Sequence, residues 1–322
     1  MSPRLNWQRQ GGDWPNRAYS RFVDAGGVRW HVQVAGEGPP ILLLHGTGAA
    51  THSWRGILPL LAREYTVIAP DLPGHGFTDA PATRLGFTLP GMAALTGDLL
   101  AALDISPTLI VGHSAGAAIA SRMALDGYAA PTRLISLNGA LLPLPGMPVP
   151  LFLAVGRLMV ATPLLPRLVA RRALDGRMVA KLMDSTGSVI DAEGQALYQR
   201  LVSNPAHVRD VLSMMAHWDL RALQRDLPRL AVPLVLIATG NDRTVPPAES
   251  GRVSRLVPGS RLVELPGLGH LAHEERPETF ARMIAESAQQ PSAADSTQNL
   301  AAEPSSAAAP AAKSPPQASL GG

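Results

Sequence analysis

Five short runs set the rhythm of this chain: Ile41–Leu44, Thr66–Ala69, Leu109–Val111, Arg133–Leu137 and Leu234–Ala238. Most are apolar without a break, the pattern of strands covered on both faces. Ahead of them, Ser20–Asp24 and Val28–Val34 mix apolar with polar residues and are joined through Gly26-Gly27, which predicts a β-hairpin. Between the runs the spacing turns helical, over residues 54–63, 92–103 and from Ala118 through Met123. Strands alternating with helices predict an α/β fold with a mostly parallel sheet and helices on both faces.

The character changes at Leu141. From there to about Asp219 no strand is predicted, and helical stretches fall at residues 149–161, 168–181, 191–202 and 205–218. Prolines flank the first of these, which is apolar almost all round; the second is basic. An all-helical insertion of this length reads as a cap, residues 141–219, on a core formed by residues 1–140 and 220–288. The core pattern resumes with Leu234–Ala238, a helix over 247–256, a strand over 261–265 and a helix over 277–288. Residues 289–322 are Ala, Pro, Ser and Gln with few large apolar side chains, a composition expected to stay disordered.

Composition narrows the chemistry. None of the 322 residues is cysteine, so disulfides and thiolate catalysis are excluded, and no metal site or cofactor is expected. No apolar run has bilayer length and no signal-like segment opens the chain, so cytoplasmic residence is expected. A net charge of +3, with arginines not interleaved with aromatics, argues against a nucleic-acid partner.

The candidate chemistry centres on Gly112-His113-Ser114-Ala115-Gly116, between a predicted strand and a small-residue helix. That is the context of a nucleophile elbow, which exposes a serine on a tight strand-to-helix turn. The hydroxyl needs a base, and the base an orienting acid. Asp242 and His270 lie downstream, each in a loop after a predicted strand, which gives the order Ser, acid, His. His45-Gly46-Thr47-Gly48 follows the strand at Ile41–Leu44, so the Thr47 amide is expected to join that of Ala115 in an oxyanion hole. The other histidines have plainer readings. His113 is expected to pack against the sheet, His45 and His75 to brace loops, and His273 to lie on the surface. Asn138 follows the strand before the acid loop, where some relatives carry the acid; an amide is a poor substitute.

These pieces, with Asp71-Leu72-Pro73-Gly74-His75-Gly76, Gly240-Asn241-Asp242 and Gly269-His270, resemble the α/β-hydrolase superfamily over residues 20–288. The resemblance implies Ser114 as nucleophile, His270 as general base and Asp242 as its orienter. Superfamily epoxide hydrolases and haloalkane dehalogenases carry aspartate at the elbow, so serine points instead to esterases, carbon–carbon hydrolases and haloperoxidase-like enzymes. Asp13-Trp14-Pro15-Asn16, Ala25–Gln33, Thr51-His52-Ser53-Trp54 and Asn138-Gly139-Ala140 narrow the resemblance to the magnesium-chelatase accessory proteins of bacteriochlorophyll biosynthesis. This implies a role near magnesium insertion into protoporphyrin, with chelatase subunits as partners. Two functions stay open: a serine hydrolase acting on an acyl bond of an apolar substrate, and a non-catalytic accessory or carrier protein holding a tetrapyrrole. Under the second, Arg157, Arg167, Arg171 and Arg172 would meet porphyrin carboxylates at the cap rim. The apolar stretch 149–161 could also rest on a membrane as a peripheral contact.

Overall fold

The computed structural model describes residues 4–143, 162 and 164–290. The stretch 149–161, Arg157 with it, and the tail from Pro291 lie outside the described residues. Eight strands form one sheet: β1 (Ser20–Ala25), β2 (Val28–Ala35), β3 (Pro40–Leu44), β4 (Thr66–Pro70), β5 (Leu109–His113), β6 (Arg133–Leu137), β7 (Leu234–Thr239) and β8 (Arg261–Leu265). Their order is β1-β2-β4-β3-β5-β6-β7-β8. β1 and β2 form the expected hairpin and β2 meets β4 antiparallel; the other pairs are parallel.

The unbroken apolar runs are explained by two cores. Leu42, Leu44, Ile68, Ile110, Leu134 and Leu236 face one side. Their neighbours Ile41, Leu43, Val67, Leu109, Ile135 and Ile237 face the other. Successive side chains on a strand point to opposite faces, so a strand buried on both sides has no polar position to spare.

The helices in chain order are α1 (Trp7–Gln10), α2 (Leu58–Leu61), α3 (Leu89–Leu103), α4 (Ala115–Asp126), α5 (Leu165–Arg172), α6 (Arg177–Ser185), α7 (Ala192–Val202), α8 (Pro205–His217), α9 (Arg221–Asp226), α10 (Pro247–Leu256), α11 (Ala272–Glu275) and α12 (Pro277–Gln289). Helices α3, α4 and α10 supply Met92, Leu100, Ala118, Ile119, Met123 and Val253 to the first core. Helices α2 and α12 supply Leu58, Leu61, Phe280 and Ile284 to the second. Between β6 and β7 the described residues form helices and turns and no strand.

The expected helix over 54–63 forms only in part. The segment makes a 3-10 turn at Thr51–Trp54 and then the single turn α2. Pro59 in that turn has no N–H to extend a helix backward, and its ring crowds the preceding turn. Gly56 also lies against Pro277 at the start of α12, where a side chain would collide.

The chain order places the site. After β3 the chain passes to β4 on one side, then crosses to β5 on the other. Such a reversal leaves a crevice at the carboxyl ends of the two central strands, where ligands of open α/β sheets bind. The segments leaving β3 and β5 at that edge are His45–Gly48 and Ser114–Ala115.

Candidate active site

Ser114 sits between β5 and α4 with φ 52° and ψ −117°. A residue with a Cβ costs on the order of 1–3 kcal/mol in such a conformation, so the surroundings must impose it. The backbone shows how. Ser114 N donates to Leu137 O at 3.0 Å, while Ser114 O accepts from Ala117 N at 3.1 Å and Ala140 N at 3.0 Å. Gly116 is needed because a Cβ there would meet Leu44 O at 2.2 Å. The elbow is thus wedged against the end of β3.

The loop after β3 lies directly over the elbow: a Cβ on Gly46 would fall 2.9 Å from His113 Nδ1 and 3.0 Å from Ser114 Cβ. Among the described residues neither Thr47 N nor Ala115 N donates to a protein acceptor. Ala115 is the first residue of α4, so its amide is one of the unpaired donors at a helix start. Thr47 is exposed and Ala115 buried.

Asp242 and His270 come together across β7 and β8. His270 Nδ1 and Asp242 Oδ2 are 2.7 Å apart, and both residues are buried. Asp242 Oδ1 accepts from Thr244 N and Val245 N, each at 2.8 Å. With Oδ2 accepting the Nδ1 proton, the imidazole keeps Nε2 as its basic nitrogen. Ser114 Oγ makes no hydrogen bond among the described residues. The two halves share neighbours: the His113 ring lies 4.7 Å from that of His270, and His113 Nε2 donates to His270 O at 2.9 Å.

Asn138 does more than sequence reasoning allowed it. At φ 46° it follows β6, and its Nδ2 reaches Thr239 Oγ1 at 2.8 Å, His270 O at 3.0 Å and Gly269 O at 3.1 Å. Its Oδ1 accepts from Thr239 N at 3.0 Å. One amide therefore ties the ends of β6 and β7 to the histidine loop. The sequence cue is an asparagine directly after a strand, which by itself reads only as a missing acid.

Eight of the nine histidines in the sequence are buried, His217 being the other. His45 and His75 do brace loops: His45 Nδ1 donates to Gly46 O at 2.8 Å, its Nε2 accepts from Leu72 N at 2.9 Å, and His75 Nδ1 lies 3.1 Å from Pro73 O. Burial lowers the pKa of both. Burial, with His273 and His270 nearby, also holds His113 well below the usual imidazole value.

The surface expectation for His273 is wrong. It is 1% exposed, with its ring 4.8 Å from Trp54 and 4.4 Å from His113. The turn α11 folds back beneath the elbow and carries the side chain inward; burial, aided by His270 and Arg55, lowers its pKa to about 3. Beside it, burial pushes Glu274 up to about 7, although the Arg55 guanidinium and the Tyr198 hydroxyl at 2.6 Å oppose the rise. Asp71 is locked by His31 Nδ1 at 2.8 Å, Thr51 N at 2.7 Å and Phe77 N at 2.9 Å. Burial alone would raise its carboxyl, but His31, His45 and the Phe77 amide hold it below the carboxylate range.

Of the cap arginines, Arg167, Arg171 and Arg172 lie on α5, exposed and without an ion pair among the described residues. No cluster of His or carboxylate groups able to hold a metal occurs among the described residues, and none of their helices is long and apolar enough to cross a membrane.

The family described as the alpha/beta hydrolase fold matches residues 39–277. The chain is 40% identical over 274 residues to the magnesium-chelatase 30 kDa subunit of Rhodobacter capsulatus, covering 84% of this chain and 95% of that relative. It is 28% identical over 275 residues to pyrrolizixenacetamide deacetylase of Xenorhabdus hominickii, covering 81% of this chain and 95% of that one. Among solved structures, an alpha/beta hydrolase fold protein from Burkholderia ambifaria superposes with a TM-score of 0.71 at 22% identity, over 89% of this chain and all 100% of that one. With its match running from the start of β3 through β8 and taking in the elbow and both loops, the chain belongs to the alpha/beta hydrolase fold family.

Proposed function

We propose that this protein is a serine hydrolase that cleaves an ester or related acyl bond of an apolar substrate, in a role tied to magnesium insertion during bacteriochlorophyll synthesis. The observation that carries the chemistry is the 2.7 Å pairing of His270 with Asp242 in the same locality as the constrained elbow serine. Ser114 Oγ attacks the acyl carbon while His270 Nε2 takes its proton, and Asp242 steadies the imidazolium that results. The carbonyl oxygen, now negative, is met by the free amides of Thr47 and Ala115. Collapse breaks the bond to the leaving group, which takes the proton from His270. Water activated by the same imidazole then releases the acid and restores the serine. Helices α5 to α8 of the insertion cap the crevice and, on this reading, exclude bulk water. The link to magnesium insertion rests on the 40% identity to a protein named as a magnesium-chelatase subunit.

That same name favours a second reading, an accessory protein that holds a tetrapyrrole or meets the chelatase without chemistry of its own. The exposure of Arg167, Arg171 and Arg172 bears on it. A solvated guanidinium–carboxylate contact contributes about 0–1 kcal/mol, against about 1.5–3 kcal/mol for a shielded one. Incubation with a fluorophosphonate, followed by mass spectrometry of the labelled peptide, separates the two. Modification at Ser114 is expected; an unlabelled chain that still quenches protoporphyrin fluorescence would favour the carrier.

A further inference from the structure

The loops that carry Asp242 and His270 are separate in sequence, and something has to hold them in register. Directly between them run one side-chain hydrogen bond, the 2.7 Å contact of His270 with Asp242, and one backbone bond, from Asn241 N to Leu268 O at 2.9 Å. A three-residue segment of the helical insertion lies between them. Thr186, Gly187 and Ser188 follow the end of α6 and precede α7. Thr186 O accepts from Arg243 N at 3.3 Å, next to the acid, and from His270 N at 3.1 Å, on the base itself. Ser188 Oγ accepts from Leu271 N at 2.8 Å, one residue beyond the base. One carbonyl and one hydroxyl thus hold three consecutive or flanking amides of the two loops.

The packing leaves no slack. Gly187 has φ +78°, and a Cβ there would lie 2.0 Å from Asn241 O. Facing it, a Cβ on Gly269 would lie 2.3 Å from Gly187 C and from Ser188 N. Two glycines meet backbone to backbone because no side chain fits between the acid loop and the histidine loop. The segment is itself braced: Thr186 Oγ1 donates to Met183 O at 2.6 Å and accepts from Ser188 N at 3.2 Å. On the far side Gly269 N donates to Glu275 Oε1 at 2.8 Å.

We propose that Thr186, Gly187 and Ser188 are positioning residues for the His270–Asp242 pair, so that the helical insertion sets the geometry of the base as well as covering the crevice. Resting on the serine-hydrolase reading, the proposal ties any displacement of α6 to the His270 backbone through the Thr186 carbonyl. None of the three residues hydrogen-bonds to Ser114 Oγ or to His270 Nε2. Their effect falls on turnover, because misplacing a base by a fraction of an ångström lowers the rate without altering where the acyl group binds.

The test uses the full chain with Gly187→Ala, Ser188→Ala and Ser188→Thr. The first readout is the downfield proton resonance of His270 Nδ1–H held by Asp242, identified by its loss in Asp242→Ala; it needs no turnover. The second is the rate of fluorophosphonate modification, with kcat and KM on a p-nitrophenyl ester. Gly187→Ala is expected to broaden or remove the resonance and to lower kcat about tenfold or more with KM within about twofold. Ser188→Ala should give a smaller loss of the same kind, and Ser188→Thr, which keeps a hydroxyl acceptor, should recover most of it. Should Gly187→Ala fail to fold, the Ser188 pair decides. An unchanged resonance in Ser188→Ala, or a kcat loss that Ser188→Thr does not recover, overturns the proposal. A resonance that the variants perturb in a chain that is never labelled at Ser114 supports the positioning role and defeats the hydrolase reading instead.

Discussion

The buried histidines make a strong forecast about acid. His207 and His273 have their pKa lowered to about 4 and about 3, chiefly by burial, with Arg4 adding to the first and His270 and Arg55 to the second. In the unfolded chain a histidine titrates at about 6.5. The folded chain therefore binds fewer protons between those values, so stability is full above about pH 6.5 and falls as the pH drops toward 4. At pH 5.5 each of the two costs about 1.4 kcal/mol, about 3 kcal/mol together, relative to neutral pH. His45, His52, His75 and His113 are lowered as well, all by burial first, and act in the same direction. Glu274 acts oppositely. Raised by burial to about 7, it binds a proton in the folded chain before the unfolded chain does. Between pH 7.5 and 5.5 it returns about 2 kcal/mol. Urea unfolding at pH 7.5, 6.5 and 5.5 should show net stability falling with acid, against a typical total of about 5–15 kcal/mol. Replacing His207 and His273 together by glutamine should remove about 3 kcal/mol of that fall, and Glu274→Gln should make it steeper. A stability that stays flat or rises on acidification in the wild-type chain would refute the argument, because it would mean these rings gain their protons without unfolding.

Three further outcomes are expected. Ser114→Gly should raise the melting temperature by an amount equivalent to about 0–2.5 kcal/mol, the relief of about 1–3 kcal/mol of strain at φ 52° less about 0.5–1 kcal/mol for the added freedom of glycine in the unfolded chain, while fluorophosphonate labelling disappears. Asp242→Asn should keep the fold and lower ester hydrolysis by about 10⁴-fold, the loss known for the serine-protease triad, read as kcat on a p-nitrophenyl ester. Removal of residues 291–322 should leave both melting temperature and esterase rate unchanged, checked by calorimetry and the same ester assay.

What the sequence made legible was whatever obeys a local rule. Uninterrupted runs such as Ile41–Leu44 declared strands buried on both faces, and α10 and β8 fall on the expected residues 247–256 and 261–265. Asp242 and His270 follow from chain order, from their loops after predicted strands and from the superfamily resemblance, and they lie within hydrogen-bond reach. What stayed hidden depends on which distant backbone comes close. Nothing local says that His273 points inward onto Trp54, or that Asn138 faces the carbonyl of a residue 132 positions away. The Thr186–Ser188 break looked like any loop between two helices, because its partners lie in the last third of the core. The shortening of 54–63 to the single turn α2 has another cause: the covalent geometry of Pro59 overrules its apolar spacing.

The Asn138 amide restricts how this scaffold could be redesigned. Relocating the acid from β7 to the end of β6 would take one substitution on paper, Asn138→Asp. Yet the Nδ2 that such a change deletes faces the carbonyl oxygens of Gly269 and His270 and the Thr239 hydroxyl. A carboxylate there would turn two of those three contacts from attraction to repulsion between oxygens in a buried place, where an unpaired charge is most costly. The migrating acid would push away the loop that carries the histidine it was meant to orient. A designer would first have to find another donor for those two carbonyls, and until then the acid is confined to β7.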